Sequence, residues 1–299
     1  MKRFVIRLLS FLAIVLVLDR GFGLAMKYLQ NHAKGGYVGH HNYILHYANE
    51  DILIFGSSRA IHHYNPQIIE DCLGMSCYNC GQDGNGIVLF YGWWQMIKER
   101  YQPKMIIYDV NPSFDLLLGE DNSKYLGWLR SEYDNEDVKK VIEDIDPTEK
   151  CKMLSMMYCY NSKFLQNIID YVHPLFKISS NGYLPLMGEM DKMKVRERKE
   201  KTKYVFDSQK LKFLELLIKE TKERGIKLIF VASPIWYGKT NAQFEPLCDL
   251  CNKQGIPFYN FSNDTSYVHH NEFFKDGNHL NAHGANAFTS DFIRCIEQQ

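Results

Sequence analysis

The sequence has 299 residues, of which 45% are hydrophobic and 14% are aromatic. This composition excludes a disordered chain and allows one large domain, or a domain with a sizeable insertion. Lys+Arg and Asp+Glu number 35 each, so the chain lacks the basic excess of a duplex-binding protein, and no nucleic-acid partner is expected.

The N-terminus is typical of an export or membrane segment. Three basic residues within the first seven precede an apolar run over 8–18, and Asp19-Arg20 interrupts a pattern that otherwise stays apolar to residue 26. The run is short for a spanning helix of ~20 residues and suits a signal-peptide core. Small-x-small cleavage sites lie at 21–25, directly after the charged pair. Because a charged pair directly precedes these sites, an uncleaved anchor over 1–26 is favoured over a cleaved signal peptide. The domain that follows is then expected outside the cytoplasm.

Beyond a linker at 27–50, apolar strand candidates alternate with helical patterns. Strands are predicted at 51–55, 76–80, 104–110, 227–232 and 257–261. Helices are predicted at 87–100, from 207 or 208 to 225, at 243–253 and at 282–297. This alternation predicts an α/β fold in which helices cover the faces of a parallel sheet.

The segment 113–206 does not follow the alternation. Its pattern is mostly helical and rich in Tyr, Met and Lys, which predicts an inserted cap or lid that holds the specificity. Within it, 192–203 is dominated by basic residues. A solvated loop is the favoured interpretation there, and a patch for an anionic glycan or a lipid surface is the alternative.

Two short motifs carry candidate chemistry. An apolar run ends in Gly56-Ser57-Ser58, a tight turn of the kind that exposes a nucleophilic serine. Asp276 and His279 share one short turn near the C-terminus, where the acid can orient the base. Alone, the first motif would be a helix cap and the second a polar turn. Together they favour a triad of Ser58, Asp276 and His279.

These motifs, with Asn79-Cys-Gly-Gln-Asp-Gly84 and Asn111 between them, resemble the SGNH (GDSL-like) hydrolase superfamily. The resemblance runs from about residue 51 to the end. It implies a three-layer, flavodoxin-like catalytic domain over 51–299, with Ser58 as nucleophile. It also implies an oxyanion site formed by the backbone N–H groups of Ser58 and Gly84 and the amide of Asn111.

The chain departs from the family pattern at two positions. Ser57 stands where the family usually has Asp, and Asp109-Val-Asn-Pro112 replaces Gly-x-Asn-Asp. Asn111 can also be explained as part of a turn, and Gly84 as a bend with positive φ. Arg59 could contact an anionic substrate, although a structural ion pair is the expected role.

No metal or cofactor is predicted. The pairs Cys77-x-x-Cys80 and Cys248-x-x-Cys251 lie far apart, and the first is on a predicted strand, where residues three apart face opposite ways. The histidine pairs at 40–41, 62–63 and 269–270 are expected to be scattered exposed residues rather than ligands. The redox state of the eight cysteines is left open.

The resemblance implies a serine esterase or O-acyltransferase that adds or removes small acyl groups, with O-acetyl favoured, on a cell-envelope glycan. The anchor and the predicted lid agree with this, because a transferase must keep water from its acyl-enzyme. The alternative is a non-catalytic docking module for a multi-spanning membrane-bound acyltransferase, which the atypical block at Asn111 suggests.

Overall fold

The computed structural model describes residues 1–119, 121–191, 203–238 and 240–298. The basic stretch 192–203, predicted as a solvated loop, therefore lies outside the described residues except for Lys203. The chain divides into two compact units. The first comprises Met1–Tyr43 and Asn122–Lys177, and the second comprises Ile44–Asp121 and Ile178–Gln299.

The second unit contains a five-stranded sheet. Its strands are Ile52–Gly56 (β1), Cys77–Asn79 (β2), Met105–Asp109 (β3), Lys227–Ala232 (β4) and Phe258–Asn260 (β5). All neighbours pair in parallel, in the order β2-β1-β3-β4-β5. This is the order of the flavodoxin-like doubly wound fold. The predicted α/β class and parallel sheet are confirmed.

The α-helices are, in chain order, Lys2–Asn31 (α1), Gly36–His46 (α2), Ser58–His63 (α3), Pro66–Leu73 (α4), Ile87–Arg100 (α5), Pro112–Asp115 (α6), Glu136–Ile145 (α7), Glu149–Lys152 (α8), Met156–Tyr160 (α9), Phe164–Val172 (α10), Ser208–Glu223 (α11), Glu245–Gln254 (α12) and Ala282–Glu297 (α13). The predicted helices 87–100 and 282–297 coincide with α5 and α13. The other two agree with α11 and α12 to within two residues. Part of the predicted linker is also helical, because α1 continues to Asn31 and α2 follows it.

The sheet is covered on both faces, as its composition requires. Every residue of β1 and β3 is buried, which is the burial typical of a central parallel strand. Alternate residues such as Ile54 and Ile107 join a core with α3, α4 and α13. The residues between them point the other way, where Phe55 and Tyr108 contact Phe90 of α5.

The first unit contains the N-terminal helix together with the helical segment Asn122–Lys177. Helix α1 is long and apolar enough to cross a membrane, and α9 and α10 pack against it. Asp19-Arg20 does not interrupt the helix, since both side chains find partners on the α9 side. Of the segment predicted as an insertion, Asn122–Lys177 belongs to this unit, while the residues on either side belong to the sheet unit. Its role as a lid stays a prediction.

Candidate active site

Gly56 forces the turn that presents Ser58. Its φ is +141°, and an added Cβ would lie 2.6 Å from the backbone oxygen of Asp109 and 2.9 Å from Cβ of Ala60. A larger residue is excluded here, and the chain turns abruptly from β1 into α3. Ser58 thus begins a helix at the carboxyl edge of the sheet, where α/β folds place their sites.

Ser58, His279 and Asp276 form one chain of hydrogen bonds. The distance between Ser58 Oγ and His279 Nε2 is 2.7 Å. On the other side of the ring, Nδ1 lies 2.9 Å from Asp276 Oδ2 and 3.0 Å from Oδ1. Nδ1 donates to the carboxylate, which leaves Nε2 as the acceptor for the Ser58 hydroxyl. The three residues predicted as a triad are therefore brought together in the order that general-base activation of a serine requires.

The turn that carries Asp276 also holds its charge. Burial by itself would raise the pKa of this carboxyl. The hydrogen bond and charge of His279, with backbone N–H groups of Asn278 and His279 at 2.8 and 3.0 Å, outweigh burial and lower the pKa of Asp276 below its usual value. The side chains of Asp276 and His279 are 53% and 24% exposed, so a substrate can reach the pair.

Ser57 does not act as a capping side chain. It occupies the N-cap position of α3, but among the described residues its hydroxyl makes no capping bond to the helix. Instead its Oγ lies 3.4 Å from Nδ2 of Asn111, which donates to it. The Oγ of Ser58 is directed to His279. A helix cap therefore explains neither serine side chain of the motif.

Asn111 caps a helix, as the turn interpretation expected, while its role as an oxyanion donor stays a prediction. Its Oδ1 accepts from the backbone N–H of Ser113 at 3.3 Å and caps α6. Because the oxygen is used in the cap, Nδ2 is turned towards Ser57 and the candidate site. The backbone N–H of Asn111 donates to Asp115 Oδ2 at 2.7 Å, so a buried carboxylate holds the turn from behind.

Asp115 is fully buried and makes three hydrogen bonds. Besides Asn111, it accepts from the hydroxyl of Tyr108 and from the backbone N–H of Ile87, both at 2.7 Å. Burial raises the pKa of Asp115 to about 6, although these bonds and the charge of Lys210 oppose the increase. The carboxyl of Asp115, which holds the turn at Asn111, therefore changes its protonation near pH 6, within the range in which many enzymes are assayed.

The ion pair expected for Arg59 is present. Its guanidinium lies 3.2 Å from Asp109 Oδ1, with both groups buried, and it donates to the backbone oxygen of Val110. Asp109 Oδ2 in turn accepts from the hydroxyl of Tyr64 at 2.7 Å and from the backbone N–H of Ser233 at 3.1 Å. The residue after Ser58 is thus tied to the carboxyl ends of β3 and β4.

Two histidine pairs are not exposed, which corrects the sequence expectation. His40, His41, His62 and His63 are buried, while the pair at 269–270 is exposed. Sequence spacing could not reveal this, because the partners are distant in the chain. His62 Nε2, for example, lies 3.2 Å from Asp83.

His63 is the most enclosed of the four. Burial lowers the pKa of His63 well below its usual value, and the nearby charges of His279 and Arg59 act in the same direction. The ring is therefore neutral. Its Nδ1 lies 2.9 Å from Ser233 Oγ, and its Nε2 accepts from the backbone N–H of Leu280 at 3.0 Å.

A cavity of about 240 Å³ opens at the candidate triad. It is lined by Ser58, Arg59, Asn111, Ser113, Phe114, Ile235, Asn278 and His279. Gly84 is not among these lining residues in the described chain. It forms a bend with a φ of +68°, as the alternative interpretation expected. Its role as an oxyanion donor stays a prediction.

Sequence reasoning missed four of the lining residues, namely Ser113, Phe114, Ile235 and Asn278. A positional rule could have found them: the first three closely follow the carboxyl ends of β3 and β4, and the last lies inside the Asp-x-x-His turn. His63 and Asp115 gave no such signal, since their importance depends on contacts far along the chain.

The described residues contain no group of three or more His, Cys, Asp or Glu side chains that could hold a metal ion. All eight cysteines are free thiols. Cys77 and Cys80 are buried, and burial raises the pKa of both thiols well above the usual value. They are therefore unreactive at neutral pH.

No family model and no curated protein matches the sequence. Among solved structures, a protein of Streptococcus pneumonia provisionally described as a platelet activating factor is similar at 11% identity and a TM-score of 0.44, with 95% of this chain and 99% of that chain covered. The acetyl xylan esterase AlAXEase is similar at 12% identity and a TM-score of 0.39, with 82% and 99% covered. These likenesses are too distant to assign a family or an activity.

Proposed function

We propose that this protein is a membrane-anchored serine enzyme that cleaves or transfers a small acyl ester, with Ser58 as nucleophile. The observation that carries the proposal is the continuous hydrogen-bond chain from Ser58 through His279 to Asp276. A polar turn before a helix would not require a distant serine hydroxyl at 2.7 Å from the imidazole. The SGNH resemblance adds the same three residues in the same roles.

The reaction follows from this geometry. Ser58 Oγ attacks the ester carbonyl while His279 Nε2 takes its proton, and Asp276 stabilises the imidazolium that forms. The tetrahedral intermediate collapses when the C–O bond to the alcohol breaks and His279 returns the proton to the leaving oxygen. Water, or an acceptor hydroxyl, then gives its proton to His279 and attacks the acyl-serine, and the bond from the acyl carbon to Ser58 Oγ breaks as His279 returns the proton to the serine. Hydrolysis and transfer use the same residues and differ in this second nucleophile.

The oxyanion would be held by Nδ2 of Asn111 and the backbone N–H of Ser58. The cap at Ser113 directs the amide group of Asn111 towards the site before substrate arrives, which is the preorganisation that electrostatic stabilisation needs. One such donor is typically worth about 3 kcal/mol in the transition state. The resemblance adds the N–H of Gly84 as a third donor.

The cavity favours a small acyl group. Its 240 Å³ lies below the roughly 300–1,000 Å³ of pockets that enclose drug-sized ligands. An acetyl group fits such a space, whereas a long acyl chain would extend from it. We therefore propose acetyl esters as the substrate class, and a hydroxyl-bearing envelope glycan as the alcohol component.

The proposed location depends on α1. Asp19, Gly23 and Met26 contact the rest of their unit, and an added Cβ at Gly23 would lie 2.3 Å from Cβ of Met156. Cleavage after residues 23–25 would remove part of this packed helix. These contacts support an uncleaved, single-pass anchor with the basic residues inside and both units outside the cytoplasm.

A serine-directed fluorophosphonate tests the proposal. The purified chain should be labelled at Ser58 and should hydrolyse 4-nitrophenyl acetate, and Ser58→Ala should abolish both. Ser57→Ala serves as the matched control. Absence of labelling in a folded wild-type chain would contradict the enzyme and favour the docking module. Free acetate compared with acylated glycan acceptor would then distinguish hydrolase from transferase.

A further inference from the structure

Helix α1 has two parts with different surroundings. Residues 2–18 are exposed on every side, whereas contacts with the rest of the first unit begin at Asp19. The exposed part is roughly 26 Å long at 1.5 Å per residue. The hydrocarbon core of a bilayer is about 30 Å thick, so the exposed part, which includes Lys2, Arg3 and Arg7, is short of a complete apolar span.

Three exposed apolar side chains lie where α1 meets its unit. They are Leu154, Met157 and Leu165, at 72%, 44% and 61% exposure, and together they are called the exit patch. Arg20 donates to the backbone oxygen of Leu154 at 2.9 Å, and Asp19 accepts from the N–H of Met157 at 3.0 Å.

The third member of the exit patch is placed by its neighbour in the chain. Leu165 follows Phe164, whose ring centroid lies 6.4 Å from that of Phe22. All three patch residues are therefore within about one helical turn of the point where α1 becomes free of its unit.

The carboxylate of Asp19, which lies at this level of α1, already has partners. The Asp19 carboxylate accepts from the hydroxyl of Ser155 and from the backbone N–H groups of Met156 and Met157. A carboxylate with three donors can approach the edge of a bilayer at lower cost than a bare one. Asp19 therefore does not hold the exit patch away from lipid.

We propose that the exit patch inserts into the hydrocarbon edge of the bilayer and forms a collar around the emerging anchor. This inference rests on the membrane span proposed above. Proximity identifies lipid as the occupant, because the patch lies beside α1 at residues 19–22, directly after the exposed apolar run 8–18. Insertion of the collar also makes up the length that the exposed helix lacks.

The same unit offers a matched control. Val172 and Leu175 are 63% and 69% exposed, as much as the exit patch. However, Tyr171 packs beside Tyr28 with ring centroids 6.2 Å apart, which places that end of α10 roughly 14 Å further along α1 at 1.5 Å per residue. A side chain inserted at the interface reaches only about 5–10 Å into the boundary. Val172 should therefore remain outside lipid.

Site-specific photo-crosslinking tests the collar. The full chain would carry benzoylphenylalanine at Leu154, Met157, Leu165 or Val172, with Leu12 in α1 as the positive control. Each variant would be irradiated in cells and in liposomes of phosphatidylcholine and phosphatidylglycerol. All five positions are exposed, so the probe leaves packing unchanged. We expect phospholipid adducts at Leu12 and at the exit patch, in several-fold higher yield than at Val172.

The outcomes separate the collar from the span. Adducts at Leu12 with patch yields no higher than at Val172 would overturn the collar and leave the anchor standing. Adducts of the patch with a protein in cells would also overturn it, in favour of a docking surface. If Leu12 formed no lipid adduct, the span and the collar would both be wrong.

Discussion

His63 accepts a hydrogen bond on Nε2, at 3.0 Å, from the backbone N–H of Leu280, the residue directly after His279. Through Nδ1 and Ser233, the same ring is connected to Asp109, which pairs with Arg59, the residue directly after Ser58. A buried network therefore joins the chain neighbours of the proposed nucleophile and base. It gives a physical reason for the 2.7 Å approach of the two side chains.

We expect His63→Phe to lower kcat by about 100-fold with little change in KM, because a displacement of about 1 Å in a catalytic group has a cost of this size. His63→Gln can retain an acceptor for the N–H of Leu280 and should recover much of the loss. Steady-state kinetics on 4-nitrophenyl acetate measure both. Thermal melting of each variant is the control, since the unsatisfied N–H costs about 1–3 kcal/mol. Equal kcat in the two variants would rule out a positioning role.

The two serines should differ sharply. Ser58→Ala should reduce kcat by about 10⁴-fold or more, as removal of a triad nucleophile does. Ser57→Ala should retain most activity, because the bond that its hydroxyl accepts from Asn111 is long, at 3.4 Å. The same ester assay measures both variants. If Ser57→Ala were the inactive one, Ser58 would not be the nucleophile.

Asn111→Ala should cost less than His279→Ala. The first removes one oxyanion donor, worth about 10²–10³-fold in kcat, whereas the second removes the base that activates the serine. Comparison of kcat at matched folding measures the difference. Equal losses would show that Asn111 contributes as much as the base.

The sequence predicted the sheet well and the site in part. The strands and the helices α5 and α13 are visible because a parallel sheet demands continuous apolar runs that alternate with amphipathic helices. Ser58, Asp276 and His279 could be proposed because each lies in a short local motif, and the structure brings their side chains together. The burial of His63 and the position of Gly84 outside the cavity depend on contacts between distant segments. No local pattern encodes such contacts.

The way in which α1 accommodates Asp19 and Arg20 escaped prediction for a similar reason. A charged pair normally ends an apolar segment, but here Asp19 receives three donors from the start of α9 and Arg20 donates to Leu154. Those partners lie more than a hundred residues away. The grouping of Asn122–Lys177 with the N-terminal helix was unpredicted on the same grounds.

Asp115 should make stability depend on pH in a direction opposite to most carboxylates. Its pKa is about 6 in the folded protein, against 3.8 for an ordinary aspartate, so the folded state binds a proton more tightly than the unfolded chain. The contribution of Asp115 to the free energy of unfolding is therefore greatest below pH 3.8 and is lost as the pH rises to about 6. The loss is at most about 3 kcal/mol, at 1.36 kcal/mol for each unit of pKa.

The test of this effect is a comparison of wild type with Asp115→Asn, which retains an acceptor of similar size but does not ionise. Thermal unfolding of both chains in detergent between about pH 4 and pH 7 gives the difference in Tm at each pH, and other carboxylates cancel in that difference. Wild type should lose stability relative to Asp115→Asn as the pH rises through this range. Because the N–H of Asn111 donates to the same carboxylate, the ester activity of Asp115→Asn should also vary less between pH 5 and pH 7. A difference in Tm that does not change with pH would mean that Asp115 keeps one protonation state throughout.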